Sequence, residues 1–469
     1  MTAWLTAIPD QRARKGNKHY VSRGGDTPPT GMPPAHHPLW AGRPRPAERS
    51  SSSSPSSFGS LDRSGGDDGE TGLGRRAFIA GAAALTAAAV RPQSTEGGEA
   101  PKKRYRAAVI GHTGRGNYGH GLDTVWLTIP EAEVVGVADA DAKGLTAAVK
   151  RVKAPKGYAD YRAMLAEAKP DLVSIGPRWL DQHRDMVVAA AESGVRGIYL
   201  EKPLCRTLAE ADEMIAACEK HGVKVAVAHQ TRYCPRLKVV RDLIAAGAIG
   251  RIVEFRGRGK EDRRGGGEDL WVLGTHVLDL IHAIGGQPLS CFATVWQSGR
   301  PIRKADVKPG SEGIGPLAGD EVHAVYRLKS GTTAYFDSIR NTGGRPTRFG
   351  VWIHGSKGII EFHTGYLAPA CILAHSSWSP GRTGAKWQPI TSAGIGNPEP
   401  LSGHPLAAGN TLAVRDLIAC IEKGGEPISS IRAARTATEM IVSVFESQRL
   451  GRPVPLPLEN RQNPLAMLS

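Results

Sequence analysis

Cysteine is scarce in this chain, which has six cysteines among 469 residues. None of them forms a C-x-x-C pair, and no cluster of cysteine and histidine has the spacing of a zinc site. We therefore predict no metal site, and a disulfide framework is not expected in a chain of this length. Free cysteine is among the most buried residue types, so we expect inert, buried thiols at Cys205, Cys218, Cys234, Cys291, Cys371 and Cys420.

Dense basic runs are also missing, although the formal net charge is +15. The excess is spread along the chain and is not interleaved with aromatic residues, so nucleic-acid binding is not expected. A hydrophobic content of 40% and a charged content of 22% are typical of a soluble globular protein with a sizeable core. The length allows two or three domains of roughly 100–200 residues each.

Long apolar runs are absent too, and the run from Ala80 to Val90 is shorter than the ~20 residues that span a bilayer. Arg75, Arg76 and Phe78 precede it and resemble a twin-arginine export signal. We expect export to the periplasm by that route, with a cytoplasmic location as the alternative, and no stable membrane insertion. The signal region would cover residues 74–100. Residues 1–73, rich in Pro, Gly, Ser and Arg, would be a disordered or mis-started extension.

A glycine-rich turn follows the first buried strand pattern, Arg106 to Ile110. Gly111, Gly114 and Gly116 have the spacing G-x-x-G-x-G, whereas the usual dinucleotide pattern is G-x-G-x-x-G. Such a turn lets backbone N–H groups approach a pyrophosphate at a helix N-terminus. Taken alone, the same glycines are equally consistent with a plain loop.

The second strand pattern, Glu133 to Ala138, ends at Asp139. A carboxylate at this position can accept hydrogen bonds from both ribose hydroxyls of a dinucleotide, and it would repel a 2′-phosphate. The sequence therefore favours NAD over NADP as the cofactor. The alternative role for Asp139 is a helix N-cap.

Strand and helix patterns alternate as far as Val227, which indicates an α/β fold with a doubly wound parallel sheet. Ligands bind beyond the carboxyl ends of the strands in such sheets. Gly111, Asp139, Pro177 and Lys202 all lie there. We predict a dinucleotide-binding Rossmann domain over residues 101–222 and a second domain over residues 223–460.

At this point an ordered set of motifs resembles the Gfo/Idh/MocA oxidoreductases, over residues 104–458. The Glu201-Lys202-Pro203 triplet after a strand is the most specific of them. The others are the Gly111 turn, Asp139, Asp160, Asp171, His183 six residues after Pro177, Arg232-Tyr233, Pro235, Gly247, Gly250, His276, Asp279 and the stretch Gly451 to Pro457.

The resemblance implies a C-terminal α+β domain with an open, mostly antiparallel sheet, whose outer face is often used to form homo-oligomers. Strand patterns agree with it, and a late pair of helices is expected to pack on the core. These strands are predicted at residues 252–258, 291–297, 321–328, 332–338 and 349–354, and the helices at 410–423 and 431–449. The substrate implied is a small sugar or polyol.

The resemblance also supplies roles for individual residues. Lys202 is the acid/base candidate, because a lysine whose pKa is lowered by burial can exchange a proton during hydride transfer. His276 is the second catalytic candidate, since an imidazole suits proton transfer to a hydroxyl. A surface salt bridge for Lys202 and a structural hydrogen bond for His276 are the alternatives. Cofactor contacts are expected from Gly111, Gly114, Gly116, Asp139, Pro177, His183, Glu201 and Lys202, and substrate contacts from Arg232, Asp269 and Asp279.

One position departs from the family. Its dehydrogenases commonly have Asp four residues before the histidine, where this chain has Val272. Asp269 or Glu268 could replace that carboxylate from a glycine-rich segment. We predict an NAD-dependent oxidoreductase that transfers a hydride from a sugar or polyol hydroxyl. The alternatives are an NAD-dependent glycosidase that works by transient oxidation and elimination, and a non-catalytic binding protein that keeps the fold.

Overall fold

The structure is a computed structural model, and it describes residues 105–402 and 405–469. The predicted extension and twin-arginine segment, residues 1–100, lie outside the described residues. Among the described residues, no helix is long and apolar enough to cross a membrane. The six cysteines form no disulfide; five are buried and Cys371 is half-buried, close to the expectation of inert thiols.

Six short strands make the first sheet: β1 (Tyr105–Ile110), β2 (Ala132–Ala138), β3 (Gly157–Tyr158), β4 (Leu172–Ile175), β5 (Gly197–Leu200) and β6 (Lys224–Val227). They pair in parallel in the order β3-β2-β1-β4-β5-β6. Their near-continuous apolar runs are what a sheet with both faces covered requires. The predicted doubly wound sheet is confirmed, but β6 belongs to it, so the predicted domain boundary at residue 222 is too early.

Four helices connect these strands: α1 (Ala142–Val152), α2 (Tyr161–Ala168), α3 (His183–Glu192) and α4 (Leu208–Lys220). The connection from β1 to β2 contains no α-helix and has only a 3₁₀ turn, Thr124–Thr128. Four glycines before it, Gly114, Gly116, Gly119 and Gly121, have φ between +64° and +88°. That backbone conformation cannot be part of a right-handed helix. The expected helix N-terminus at the glycine turn is therefore missing.

The rest of the chain builds the second sheet and its helices. In chain order they are α5 (Pro235–Ala245), β7 (Ile252–Arg258), α6 (Gly267–Val272), α7 (Gly274–Gly285), β8 (Pro288–Gln297), β9 (Arg300–Pro301), β10 (Lys308–Pro309), β11 (Pro316–Leu317), β12 (Glu321–Leu328), β13 (Thr333–Ile339), β14 (Gly350–Gly355), β15 (Gly358–His363), β16 (Ala370–Leu373), α8 (Pro380–Thr383), β17 (Gln388–Thr391), β18 (Gly394–Ile395), α9 (Pro405–Lys423), α10 (Ile431–Leu450) and β19 (Val454–Pro455).

The second sheet runs in the order β18-β17-β16-β15-β14-β7-β13-β12-β8-β19, with β9 paired to β8. Only β7 and β13 pair in parallel, so the predicted open, mostly antiparallel sheet is confirmed. The predicted bounds of β7 and β12 agree with the observed bounds at both ends. One face of the sheet packs against α7 and α10, and α9 packs against β5 and β6 of the first sheet. The late helices thus join the two halves.

Candidate functional site

Lys202 lies directly after β5, at the carboxyl edge of the first sheet. It is 4% exposed, and its Nζ donates to the carbonyl of Val272, at the end of α6, at 3.0 Å. The Lys202–Pro203 peptide bond is cis. The neighbouring Glu201 is fully buried and accepts hydrogen bonds from the Lys202 backbone N–H at 3.1 Å and from the His120 backbone N–H at 3.0 Å. Glu201 therefore holds the lysine loop against the glycine turn.

A second buried side chain, His183, also holds the lysine loop in place. It is fully buried, with Nε2 2.6 Å from the Pro177 carbonyl and Nδ1 3.0 Å from the Leu204 carbonyl. Both ring nitrogens face backbone oxygens, so the imidazole ties the end of β4 to the segment after Lys202. These bonds favour a positioning role for His183 and for the buried carboxylate of Glu201, and their predicted contacts with the cofactor stay predictions.

The glycine turn packs onto the end of β4. A Cβ on Gly116 would lie 2.3 Å from the Arg178 backbone nitrogen, so only glycine fits this close approach. Within the turn, His112 and Asn117 exchange backbone hydrogen bonds of 3.0 Å. Gly114 has open space at its Cβ position, and its backbone N–H donates to the Asn117 side chain. The predicted turn exists, but it is closed on itself like a small hairpin.

Asp139 ends β2 as predicted and is 2% exposed. Its carboxylate accepts hydrogen bonds from the Thr113 N–H at 3.0 Å, the Thr113 hydroxyl at 2.7 Å, the Tyr118 hydroxyl at 2.7 Å and the Asp141 N–H at 3.0 Å. Burial would raise the pKa of Asp139, but these bonds outweigh it and lower that pKa. The N-cap of α1 is Asp141, so the alternative role for Asp139 is excluded.

His276 is half-buried on α7, with its ring centroid 5.5 Å from that of His229. Burial, followed by the charges of Lys202, His229 and His120, lowers the pKa of His276 well below its usual value. Burial likewise lowers the pKa of Lys202 against the opposing charges of Glu201 and Glu312. Because the pKa of His276 is lowered, its imidazole is neutral near pH 7.

Arg232 and Asp279 bind each other. The Arg232 Nε lies 2.9 Å from both Asp279 carboxylate oxygens, and the two side chains are 8% and 1% exposed. A bidentate, buried pair of this kind fixes α7 to the segment after β6. The pairing favours a structural role over the predicted contact with substrate.

Both acids that were predicted to replace the missing Asp already accept hydrogen bonds from their own surroundings, although Asp269 Oδ1 is buried without a partner among the described residues. Asp269 is fully buried and accepts from the Ser338 hydroxyl at 2.6 Å and the Glu261 N–H at 2.9 Å. Burial raises the pKa of Asp269. Glu268 accepts from the Ser311 hydroxyl at 2.7 Å. What position 272 does supply is its backbone carbonyl, which receives Lys202.

Sequence reasoning missed a strap that crosses from the second sheet to the first, residues 303–320. It is anchored on α6, where Gly267 N–H donates to the Gly319 carbonyl at 3.0 Å. At its tip, Glu312 lies 3.7 Å from the Arg178 guanidinium, and a Cβ on Gly313 would lie 2.5 Å from Asp181 Oδ1. In the sequence, the glycines of this segment were its one visible mark.

Unpartnered polar atoms gather where the strap meets the end of β4. Two are donors and three are acceptors, all buried and all without a hydrogen bond from the described part of the chain. They are Arg115 Nε, Arg178 Nε, Asp181 Oδ1, Gln182 Oε1 and Glu312 Oε2. Buried polar groups are normally satisfied, and this mixture of donors and acceptors matches water or a polar ligand that can both donate and accept hydrogen bonds.

Among residues 105–402 and 405–469, no group of three His, Cys, Asp or Glu side chains could hold a metal ion. A dinucleotide is different. The carboxylate at the end of β2 suits a ribose, and the glycine turn after β1 suits a pyrophosphate. The buried lysine after β5 suits the nicotinamide end of the cofactor. A cavity of about 410 Å³ lined by Thr113, Tyr118, Gly144 and Arg151 adjoins the glycine turn.

Two family models match the chain. Residues 105–229 match the model described as "Oxidoreductase family, NAD-binding Rossmann fold", and residues 237–361 match the "GFO/IDH/MocA C-terminal domain". The first match ends just beyond β6, in agreement with the sheet topology. The description of the first model names NAD binding, which confirms NAD as the cofactor of this type of domain.

Two curated relatives that the chain resembles are dehydrogenases named for a sugar and an anhydrosugar. D-apiose dehydrogenase of Paraburkholderia graminis is 28% identical over 368 residues, which cover 76% of this chain and 90% of the relative. Levoglucosan dehydrogenase of Pseudarthrobacter phenanthrenivorans is 29% identical over 252 residues, which cover 48% of this chain and 64% of the relative.

Solved structures share the fold. Levoglucosan dehydrogenase in complex with NADH and L-sorbose has a TM-score of 0.61 at 22% identity, covering 76% of this chain and 99% of that one. An oxidoreductase from Agrobacterium radiobacter in complex with NAD+, L-tartaric acid and magnesium has a TM-score of 0.57 at 20% identity, covering 78% and 99%. With both of its domains matched and its motifs in order, the chain belongs to the Gfo/Idh/MocA family of oxidoreductases.

Proposed function

We propose that this protein is an NAD-dependent dehydrogenase acting on a hydroxyl of a sugar or polyol. The observation that carries the proposal is the buried Lys202 after β5, beside a cluster of unpartnered donors and acceptors. Sugar hydroxyls both donate and accept hydrogen bonds, so they match such a cluster. The relatives named for D-apiose and levoglucosan support the same substrate class.

NAD, when bound, would accept a hydride from the carbon that carries the hydroxyl. This chain's residues handle the proton. Lys202, with its pKa lowered by burial, takes the hydroxyl proton as the carbonyl forms. His276, neutral near pH 7, holds the same oxygen through a hydrogen bond.

Besides Glu201, a second carboxylate that acts on Lys202 comes from the strap. Glu312 is one of two acids whose charge raises the pKa of Lys202, and its Oε2 is buried without a partner. We propose that Glu312 supplies the carboxylate that the family's dehydrogenases carry at the position of Val272. Glu312→Gln should lower the pKa of Lys202 and move the pH profile of kcat/KM to lower pH. Glu268→Gln is the matched control, because Glu268 lies on α6 and bonds the same strap through Ser311, but is not among the acids that raise the pKa of Lys202.

The experiment is a survey of purified protein with NAD and a panel of aldoses, anhydrosugars and polyols, followed by NADH absorbance. Net NADH formation with one member of the panel is the expected result. Cleavage of a glycoside without NADH accumulation would instead favour the transient-oxidation mechanism. Absence of both, with no nucleotide bound, would favour a non-catalytic protein.

Export by the twin-arginine route remains a proposal, supported by Arg75, Arg76 and Phe78 followed by a short apolar run. Replacing both arginines by lysine and fractionating the cells tests it. Loss of periplasmic delivery is expected. Unchanged delivery, or a native protein found only in the cytoplasm, would refute the assignment.

Homo-oligomer formation is likewise proposed, through the outer face of the second sheet. Phe292, Val325, Tyr335, Arg256 and Trp352 lie opposite one another across five neighbouring strands of that face, and Phe292 is 44% exposed. Light scattering on the protein and on Phe292→Glu measures the mass. A monomeric wild-type protein would contradict the proposal.

A further inference from the structure

Tyr118, in the glycine turn, occupies the place where a dinucleotide would meet the first sheet. Its ring lies directly over Gly111, where a Cβ would approach the ring carbons to 2.1 Å, and the side chain is 7% exposed. On its other side the Arg151 guanidinium lies 4.8 Å from the ring centroid. Arg151 is held in turn by Asp123 at 2.6 Å. The ring is therefore clamped over the turn.

The hydroxyl of Tyr118 reaches Asp139. A carboxylate has about four lone-pair sites, and Asp139 receives four donor groups from its own chain: two from Thr113, one from Tyr118 and one from Asp141. Nothing is left for two ribose hydroxyls. Two of the four donors are themselves hydroxyls, so Thr113 and Tyr118 satisfy Asp139 in the way that a ribose would.

We propose that Tyr118 competes with the adenosine ribose of NAD for the Asp139 carboxylate, and so sets both the affinity for the cofactor and its selectivity over NADP. This inference rests on the proposed function only in taking NAD as the ligand. Tyr118 must leave Asp139 before a ribose can bind there. The cavity of about 410 Å³ beside the turn, which Tyr118 and Arg151 help to line, gives the ring room to move.

Burial and the bond to Asp139 both raise the pKa of the Tyr118 hydroxyl, so it stays protonated and donates throughout the working pH range. The competition is thus present at any pH at which the protein is folded and Asp139 is ionised. It differs from a titrating switch in this respect.

The test is calorimetric binding of NADH and NADPH to wild-type protein, Tyr118→Phe and Tyr118→Ala. Tyr118→Phe removes only the hydroxyl and frees one acceptor position on a charged group. NADH binding should tighten about tenfold, the worth of one such hydrogen bond. NADPH binding should not tighten, because the freed carboxylate repels a 2′-phosphate. Tyr118→Ala also clears the space over Gly111 and should tighten NADH binding further.

Tyr158→Phe, on β3, is the matched control, since it removes a tyrosine hydroxyl and keeps the 3.0 Å backbone bond from the Asp139 N–H to the Tyr158 carbonyl; NADH binding should be unchanged. Equal NADH affinity in wild type and Tyr118→Phe would overturn the inference and leave the proposed dehydrogenase intact. Equal tightening for NADH and NADPH would also overturn it. If wild type binds no NADH, binding gained by Tyr118→Ala supports the competition, and binding by neither overturns it. Thermal unfolding of each variant shows that it is folded.

Discussion

Replacing Lys202 by methionine separates catalysis from folding at the centre of the site. The change removes the ammonium but keeps an unbranched apolar side chain of similar length. If Lys202 transfers the proton, kcat should fall by about 10²–10⁴-fold, the usual worth of general acid–base catalysis, or roughly 3–5.5 kcal/mol of barrier. NADH affinity should change little, because we expect the pyrophosphate at the Gly111 turn and the ribose at Asp139, not at this side chain.

Stability should respond differently. The variant loses the 3.0 Å bond to the Val272 carbonyl, worth about 1.5–3 kcal/mol for a charged donor. It also relieves the cost of burying an ammonium that is only 4% exposed, an effective penalty of several kcal/mol. These contributions oppose each other, so the free energy of unfolding should drop by no more than about 1 kcal/mol.

Turnover on the identified substrate and urea unfolding measure the two effects on one protein. Lys156→Met, at a surface ion pair with Glu167, is the control for loss of a lysine charge, and it should leave turnover intact. Near-normal turnover in Lys202→Met would remove the lysine from the mechanism. A loss of stability of several kcal/mol would show that the ammonium is mainly structural.

Three further outcomes are expected. His276→Ala should lower kcat, and combined with Lys202→Met it should be less than additive if the two act as a unit, as turnover of the double variant would show. Calorimetry should find NAD bound more tightly than NADP, with the preference weakened in Asp139→Ala; tighter NADP binding would contradict the role of that carboxylate. His282 has its pKa lowered to about 4 by burial and by Arg232, so the unfolded state, with a pKa near 6.5, binds more protons between these values. Stability that is complete above about pH 6.5 is therefore lost as the pH falls towards 4, by about 3 kcal/mol, and His282→Gln should flatten that part of an unfolding–pH curve.

Elements with a clear period or a strong motif were predictable. β7 and β12 matched their predicted bounds, and in β12 burial alternates residue by residue, which leaves an unambiguous pattern in the sequence. The carboxyl-edge positions of Asp139 and Lys202 followed from the parallel sheet, since that topology brings all strand ends to one side. The boundary at residue 222 was too early because a short strand such as β6 has no mark that assigns it to one sheet or the other.

The contacts of the site were less predictable, because they join residues far apart in the sequence. Arg232 and Asp279 carry charges that suit a substrate equally well, and only the fold shows that they meet each other 47 residues apart. Glu312 lies in a segment with no recognisable motif. Tyr118 looked like a loop residue, since no sequence period records that its hydroxyl reaches Asp139.

The position of Val272 connects these observations. In α6, the valine side chain is 4% exposed and its carbonyl fixes the Lys202 ammonium, so the backbone supplies an acceptor where a carboxylate is usual. A neutral acceptor stabilises the charged amine less than a carboxylate does, which leaves burial to dominate and lowers the pKa of Lys202. A lysine with a lowered pKa is neutral more of the time near pH 7, and only the neutral amine can accept a proton. The same substitution that removes an acid from the expected constellation therefore keeps Lys202 suited to taking a proton, while Glu201 and Glu312, whose charges raise its pKa, keep the amine basic enough to hold that proton once it is taken.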